Sequence, residues 1–181
     1  MRTLVNLFAA AAAVTLFTAV APQRASAQAK PIELGLDGTI SFGLNDPSRT
    51  DINLPVGNFR IGFMSKPNWE IEPFGSFNYA DVASNSTTLL NLGVGALYLF
   101  QSDRTRDQWY VRPFLGLAHA SFEGGPTGNQ FELGGGAGVK VPLASQFGLR
   151  FEATFTHLFE GGDFPSASTL GFSGGFSFYT R

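Results

Sequence analysis

The chain of 181 residues contains no cysteine, which excludes a disulfide framework, a thiolate metal site and a lipidated cysteine. Charged residues make up only 14 % of the sequence, against roughly a quarter in ordinary soluble domains. Lys and Arg number 12 and Asp and Glu number 14, so the chain lacks the basic excess typical of a nucleic-acid-binding protein. After its N-terminal region it also lacks any apolar run near the roughly 20 residues that a membrane helix needs.

The N-terminal region has the layout of a secretory signal peptide. Arg2 precedes an apolar run from Leu4 to Val20, and Ala25–Ala27 offers a small-x-small cleavage site. A second such triplet begins at Ala27, and a retained membrane anchor is the alternative interpretation. We expect residues 1–27 to be a cleaved signal peptide.

The mature region, residues 28–181, is expected to be one domain in which apolar and polar residues alternate. In one segment Phe147, Leu149 and Phe151 alternate with Arg150 and Glu152. This period of two recurs between turn-like segments and predicts antiparallel strands rather than helices. The eight predicted strands cover about residues 32–44, 52–64, 69–80, 89–100, 109–122, 130–141, 146–159 and 169–180.

Acids and bases within the predicted strands lie on the face opposite the apolar one. They are Glu33, Asp37, Arg60, Glu70, Glu72, Arg112, Glu132, Lys140, Arg150 and Glu152. An eight-stranded barrel is narrow, so its own side chains fill the interior, and charges placed there must be paired. The pattern therefore predicts a lumenal charge network that closes the barrel.

Two kinds of barrel alternate in this way. A secreted lipocalin-like binder places its apolar face inside, whereas a membrane barrel turns that face to lipid. In this chain the apolar face carries no acid or base in any predicted strand, and the polar face is rich in glycine. These features favour the membrane barrel, and the lipocalin-like binder is the alternative.

Aromatic and histidine residues are spaced to match a membrane. Alternate strands begin with an aromatic residue and carry an aromatic residue or a histidine ten positions later: Trp69 and Tyr79, Trp109 and His119, Phe147 and His157. Ten residues at about 3.3 Å each, tilted roughly 40°, span about 25 Å of membrane normal. These six residues are predicted to form two interfacial rings.

Two similar segments, WEIEPF at 69–74 and WYVRPF at 109–114, place a proline at the same height in two strands. A proline removes one hydrogen bond from a β-ladder. Pro73 and Pro113 therefore predict a shared kink or bulge.

With these segments and the aromatic ending GGFSFYT, the chain resembles a small bacterial outer-membrane β-barrel of the outer-membrane protein A or X transmembrane type. The resemblance implies an all-β fold: an eight-stranded antiparallel up-and-down transmembrane barrel with a cleavable signal peptide. It also implies a place in the outer membrane with both termini periplasmic. Outer-membrane lipid and the barrel-assembly machinery, acting on the C-terminal strand, are the expected partners. We expect a monomer without a cofactor or nucleic-acid partner.

The expected function is non-enzymatic: envelope integrity, surface contact or binding of a small ligand. The alternative rests on His119 and Ser121, which are similar to the His-x-Ser arrangement of outer-membrane lipid A deacylases. In those enzymes serine attacks the acyl ester, histidine is the base and an acid orients it; Glu132 would be the acid here. Phe122 stands where that family has an asparagine. Two histidines and no cysteine predict no metal site.

Overall fold

The computed structural model describes residues 31–44, 50–82, 85–125 and 127–180, with the side chains of 50–57, 79–82 and 85 left out of the description. The predicted signal peptide, residues 1–27, lies outside the described residues. Within the described part, no helix is long and apolar enough to cross a membrane.

Eight strands make up the fold. They are β1 (Ile32–Gly43), β2 (Thr50–Lys66), β3 (Trp69–Val82), β4 (Asn85–Leu99), β5 (Gln108–Phe122), β6 (Thr127–Ala144), β7 (Phe147–Leu158) and β8 (Ala167–Tyr179). Each strand pairs antiparallel with its neighbour in the chain, and β8 pairs with β1 to close the barrel. The predicted all-β, eight-stranded, up-and-down barrel is confirmed.

Several strands are longer than their apolar segments. β4 begins at Asn85, four residues before the predicted start, and β6 runs from Thr127 to Ala144. At β4 the added residues, 85–88, are all polar, and the β-ladder continues through them because it depends on backbone hydrogen bonds rather than on apolar side chains. The apolar pattern therefore indicates the part of each strand whose outward side chains are apolar rather than the whole strand.

Of the shared kink or bulge predicted at the two prolines, the bulge is wrong, and the kink stays a prediction. Pro73 pairs with Val94 and Pro113 with Gly135 without any shift of register. On the other side of each proline the pairing is interrupted and then resumes in the same register. A missing N–H breaks the ladder locally, whereas a bulge would require an additional residue.

The alternation sorts the side chains between two environments. Outside lie large apolar residues such as Leu117, which is 62 % exposed, and Phe155. Inside lie the charged residues, with Glu72 fully buried, above a small apolar group of Leu97, Leu99 and Tyr110. This is the reverse of a lipocalin-like barrel, whose apolar face lines its cavity.

Candidate functional site

Arg60 on β2 is the first centre of the lumenal network. Its guanidinium is 3 % exposed and donates to Glu33 and to Asp37 on β1, with 2.7 Å between Nε and Oδ2 of Asp37. Nη2 also donates to Oγ of Ser177 on β8 at 2.8 Å, and that hydroxyl donates to Glu33 at 2.6 Å. Three neighbouring strands are joined through one arginine.

Lys140 on β6 carries the network across the lumen. Its Nζ lies 2.5 Å from Oε2 of Glu33 and 2.8 Å from Oε2 of Glu70 on β3. All three side chains are at most 3 % exposed. One ammonium group therefore connects strands that are not neighbours in the sheet.

Arg150 on β7 is the second centre. It donates to both Glu72 and Glu152, and its Nε lies 2.6 Å from the hydroxyl of Tyr110. Tyr110 in turn donates to Glu152 at 2.5 Å, and Nη2 of Arg112 lies 2.6 Å from the same carboxylate. The carboxylates thus accept several charge-assisted hydrogen bonds each, which is the condition for keeping buried charges paired.

The two centres form one network, because Nη1 of Arg60 lies 3.6 Å from Oε2 of Glu72. Among the side chains that the structure describes, those of every strand except β4 contribute to it. Carboxylate oxygens of Glu33, Glu70 and Glu72 approach within 4.8 Å of one another, and each of the three already forms an ion pair with a neighbouring base. Chemically the arrangement is an electrostatic plug across the barrel.

Aromatic rings cover the plug. Phe74 and Phe114 meet edge to face at 5.6 Å, and the guanidinium carbon of Arg112 lies 5.2 Å and 4.7 Å from their ring centres. A cation held over aromatic faces gains electrostatic stabilisation in a desolvated position. The rings therefore help to hold Arg112 and also fill the lumen.

The structure does not bring Glu132 into this network. Glu132 is 3 % exposed, and its Oε2 accepts a hydrogen bond of 2.8 Å from the amide of Asn91 on β4. Among the described residues, none of its contacts is an ion pair with a base. The other nine predicted lumenal residues lie together, and Glu132 lies separately nearer the β5–β6 connection.

The predicted rings lie at the two ends of the strands. Trp69 contacts Tyr98 at 5.2 Å, and Phe147 packs on Phe178 at the same distance between ring centres. Trp109 is 61 % exposed at the start of β5. At the other end, Nδ1 of His157 hydrogen-bonds to Oγ of Ser168 at 2.9 Å. The side chain of Tyr79 lies outside the described residues.

The structure does not assemble the candidate catalytic residues. Nδ1 of His119 lies 2.8 Å from Oδ1 of Asn129, and Oγ of Ser121 lies 3.2 Å from the hydroxyl of Thr127. Glu132 points into the lumen, whereas His119 is on the outward face of β5, beside Asn129 in the ladder. Each candidate is bonded to a different partner, so no serine–histidine–acid relay is present among them.

Sequence reasoning missed several uncharged polar members of the lumen, among them Tyr110, Ser177 and Asn91. Tyr110 alternates with Trp109 and Val111 and therefore shares the face of Arg112. Ser177 likewise lies between the outward residues Phe176 and Phe178. The same period-two alternation that selected the charged residues would have found these residues, had it been applied to uncharged polar side chains.

Comparison with known proteins shows the family to which this architecture belongs. A family model described as the outer membrane protein beta-barrel domain matches residues 9–178. The chain belongs to this family. The prediction of an outer-membrane barrel is thereby confirmed at the level of family and fold. No curated protein matches the sequence significantly.

Solved structures of other outer-membrane barrels share the fold. Neisserial surface protein A is 17 % identical with a TM-score of 0.61, covering 81 % of this chain and 96 % of its own. OprG from Pseudomonas aeruginosa is 12 % identical with a TM-score of 0.52, covering 84 % and 97 %. Ail of Yersinia pestis is 14 % identical with a TM-score of 0.50, covering 82 % and 99 %. At these identities the likeness concerns the fold alone.

Proposed function

We propose that the protein is a non-enzymatic outer-membrane barrel with a closed lumen, whose role lies in envelope integrity, surface contact or small-ligand binding at its surface. The observation that carries the proposal is the buried network around Arg60, Lys140 and Arg150. It occupies the barrel cross-section with paired charges and leaves its carboxylates committed to internal partners. Such a lumen supports a structural part of the envelope rather than a solute channel.

The proposal includes an orientation and a processing step. The signal peptide, residues 1–27, is removed, and both termini of the mature chain, residues 28–181, lie in the periplasm. Outer-membrane lipid surrounds the exposed apolar side chains, and the barrel-assembly machinery inserts the monomer through β8. Intact-mass measurement of the membrane-extracted protein tests the processing step, with a chain beginning at Gln28 as the expected result.

Conductance in planar bilayers tests the closed lumen. The parent barrel should give no steady conductance. Arg150→Ala should produce open events, because Glu72 and Glu152 then lose their shared cation and repel each other. Lys66→Ala removes an exposed base at the end of β2 and should leave the barrel closed. A parent protein that conducts steadily would contradict the proposal.

A further inference from the structure

A surface cavity of about 480 Å³ lies at the connection between β4 and β5, outside the lumen. Its lining residues are Phe100, Gln101, Arg106, Asp107 and Trp109. None of them takes part in the lumenal network described above. The connection is at the same end of the barrel as both termini, because an even number of strands separates it from each.

The apolar part of the cavity consists of two aromatic side chains that face away from the barrel. Phe100 is 62 % exposed and Trp109 is 61 % exposed. A backbone hydrogen bond of 2.9 Å from the N–H of Phe100 to the carbonyl of Trp109 holds them side by side. Aromatic side chains in this position mark the level where lipid tails meet headgroups.

The polar part of the cavity carries both signs of charge. Arg106 is 74 % exposed, and its ion pair is a loose one, with 3.6 Å between Nε and Oδ2 of Asp103. Its guanidinium can therefore form a bidentate contact with a phosphate. Asp107 follows directly and offers a carboxylate to an ammonium group. The cavity thus matches a ligand that has a phosphate, an amine and an apolar body.

The turn that forms the cavity is held in place by its own hydrogen bonds. The side-chain amide of Gln101 donates to the carbonyl of Asp107, and that of Gln108 donates to the carbonyl of Gln101 at 3.1 Å. The guanidinium carbon of Arg104, the other base of the turn, lies 5.1 Å from the ring centre of Tyr179 at the end of β8. A site ordered in advance loses less entropy when a ligand binds.

We propose that this cavity binds the zwitterionic headgroup of an aminophospholipid in the periplasmic leaflet, with its phosphate on Arg106 and its ammonium on Asp107. The proposal rests on the periplasmic orientation of the termini given under the proposed function. A water-soluble phosphate compound would leave the exposed rings of Phe100 and Trp109 unused. An anionic phospholipid without an amine would leave Asp107 without a partner and close to the lipid phosphate.

Native mass spectrometry of the mature barrel tests the proposal. The protein is released from detergent containing equal amounts of phosphatidylethanolamine and phosphatidylglycerol, with soluble glycerophosphoethanolamine in a separate sample. Wild type should retain phosphatidylethanolamine preferentially. Arg106→Gln should reduce retention about tenfold, the usual effect of losing one charge-assisted contact. Asp107→Asn should abolish the preference between the two lipids.

Arg104→Gln is the matched control, because it removes the same charge from the same turn outside the cavity. Equal retention by Arg106→Gln and Arg104→Gln would overturn the proposal, as would equal binding of both lipids by wild type. Binding of the soluble headgroup as strong as that of the lipid would also overturn it. Heat-modifiable gel mobility establishes that each variant is folded. Conductance and the accessibility of the termini in whole cells report separately on the proposed function.

Discussion

At the scale of single residues, the lumen is packed by large aromatic rings that lie directly against glycines of the neighbouring strand. Phe114 lies directly over Gly134, where a Cβ atom would meet the ring and would also lie 2.6 Å from the carbonyl oxygen of Phe155. Gly93 has the same relation to Phe74. Glycine is required at these positions because neither the ring nor the neighbouring backbone leaves room for a methyl group.

Gly134→Ala should therefore lower the free energy of unfolding by about 1–3 kcal/mol, the usual cost of overpacking. Gly135→Ala is the matched control: it changes the next residue, where the nearest atom to an added Cβ is the carbonyl oxygen of Arg112 at 3.9 Å. We expect the control to be neutral. Urea unfolding in detergent measures both, and equal stability of the two variants would contradict this account of the lumen.

His119 lies near the end of β5, and the proposed non-enzymatic function assigns it no catalytic role. His119→Ala should leave the acylation of lipid A unchanged, because the histidine is bonded to Asn129 and Ser121 to Thr127. Mass spectra of lipid A from cells producing wild type, His119→Ala and Ser121→Ala provide the comparison. An acyl chain removed in wild type and kept in both variants would restore the hydrolase hypothesis.

At the scale of elements, the connection from β7 to β8 folds across the neighbouring hairpin. The side-chain amide of Gln130 donates to the carbonyls of Phe159 and Pro165 at 3.1 Å and 2.9 Å. Phe164 packs against Phe122 with 6.1 Å between ring centres, and Gly162 takes a φ of 61° that favours glycine. A loop of glycines and polar residues is thus fastened to β5 and β6.

Phe164→Ala should release this loop. Loss of an aromatic contact worth about 0.5–1.5 kcal/mol should increase local opening roughly two- to thirteenfold. Limited proteolysis with an enzyme that cuts after Glu160 and Asp163 measures the rate. Phe77→Ala removes the same side chain from the outer face of β3, which pairs with β2 and β4 rather than with β7 or β8, and should not change the rate. A rate unaffected by Phe164→Ala would mean that the loop is held without this contact.

At the scale of the whole molecule, stability depends on a barrel that is apolar outside and charged inside. Exposed apolar side chains surround the middle of the barrel, and the charges lie behind them in the lumen. In water this arrangement would expose a broad apolar surface, whereas in a bilayer the same surface meets lipid tails. The medium is therefore part of what stabilises the fold.

A charge placed on the outer surface should be destabilising according to its depth. Val94 is 40 % exposed in the middle of β4, and Val94→Arg should cost about 2–4 kcal/mol. Leu143, 56 % exposed near the end of β6, is the control, since Leu143→Arg should cost about 0–1 kcal/mol there. Reversible unfolding in lipid vesicles measures both. Equal costs at the two depths would contradict the proposed position of the membrane.

The alternation of residues in the sequence was enough to determine the strands, their number and the face on which each charge lies. A strand has a period of two, so local order decides which side chains share a side. Arg150 and Glu152 could be placed in the lumen on this basis alone. The strand ends and the lumenal position of Tyr110 were harder to predict. Strand ends depend on backbone pairing, and an uncharged polar residue differs less clearly from the apolar face than a charged residue does.

Only the tertiary structure decided which charges meet. Lys140 contacts Glu33, which lies 107 positions away in the sequence. Glu132 instead accepts a hydrogen bond from Asn91, although the alternation places it on the same face as the residues of the network. These outcomes depend on the stagger and closure of the strands, which set the height of each side chain inside the barrel. Period-two alternation shows whether a side chain points into or out of the barrel, but not how far along the barrel axis it lies. The sequence therefore determined that the lumen would be charged, and closure of the barrel determined how those charges pair.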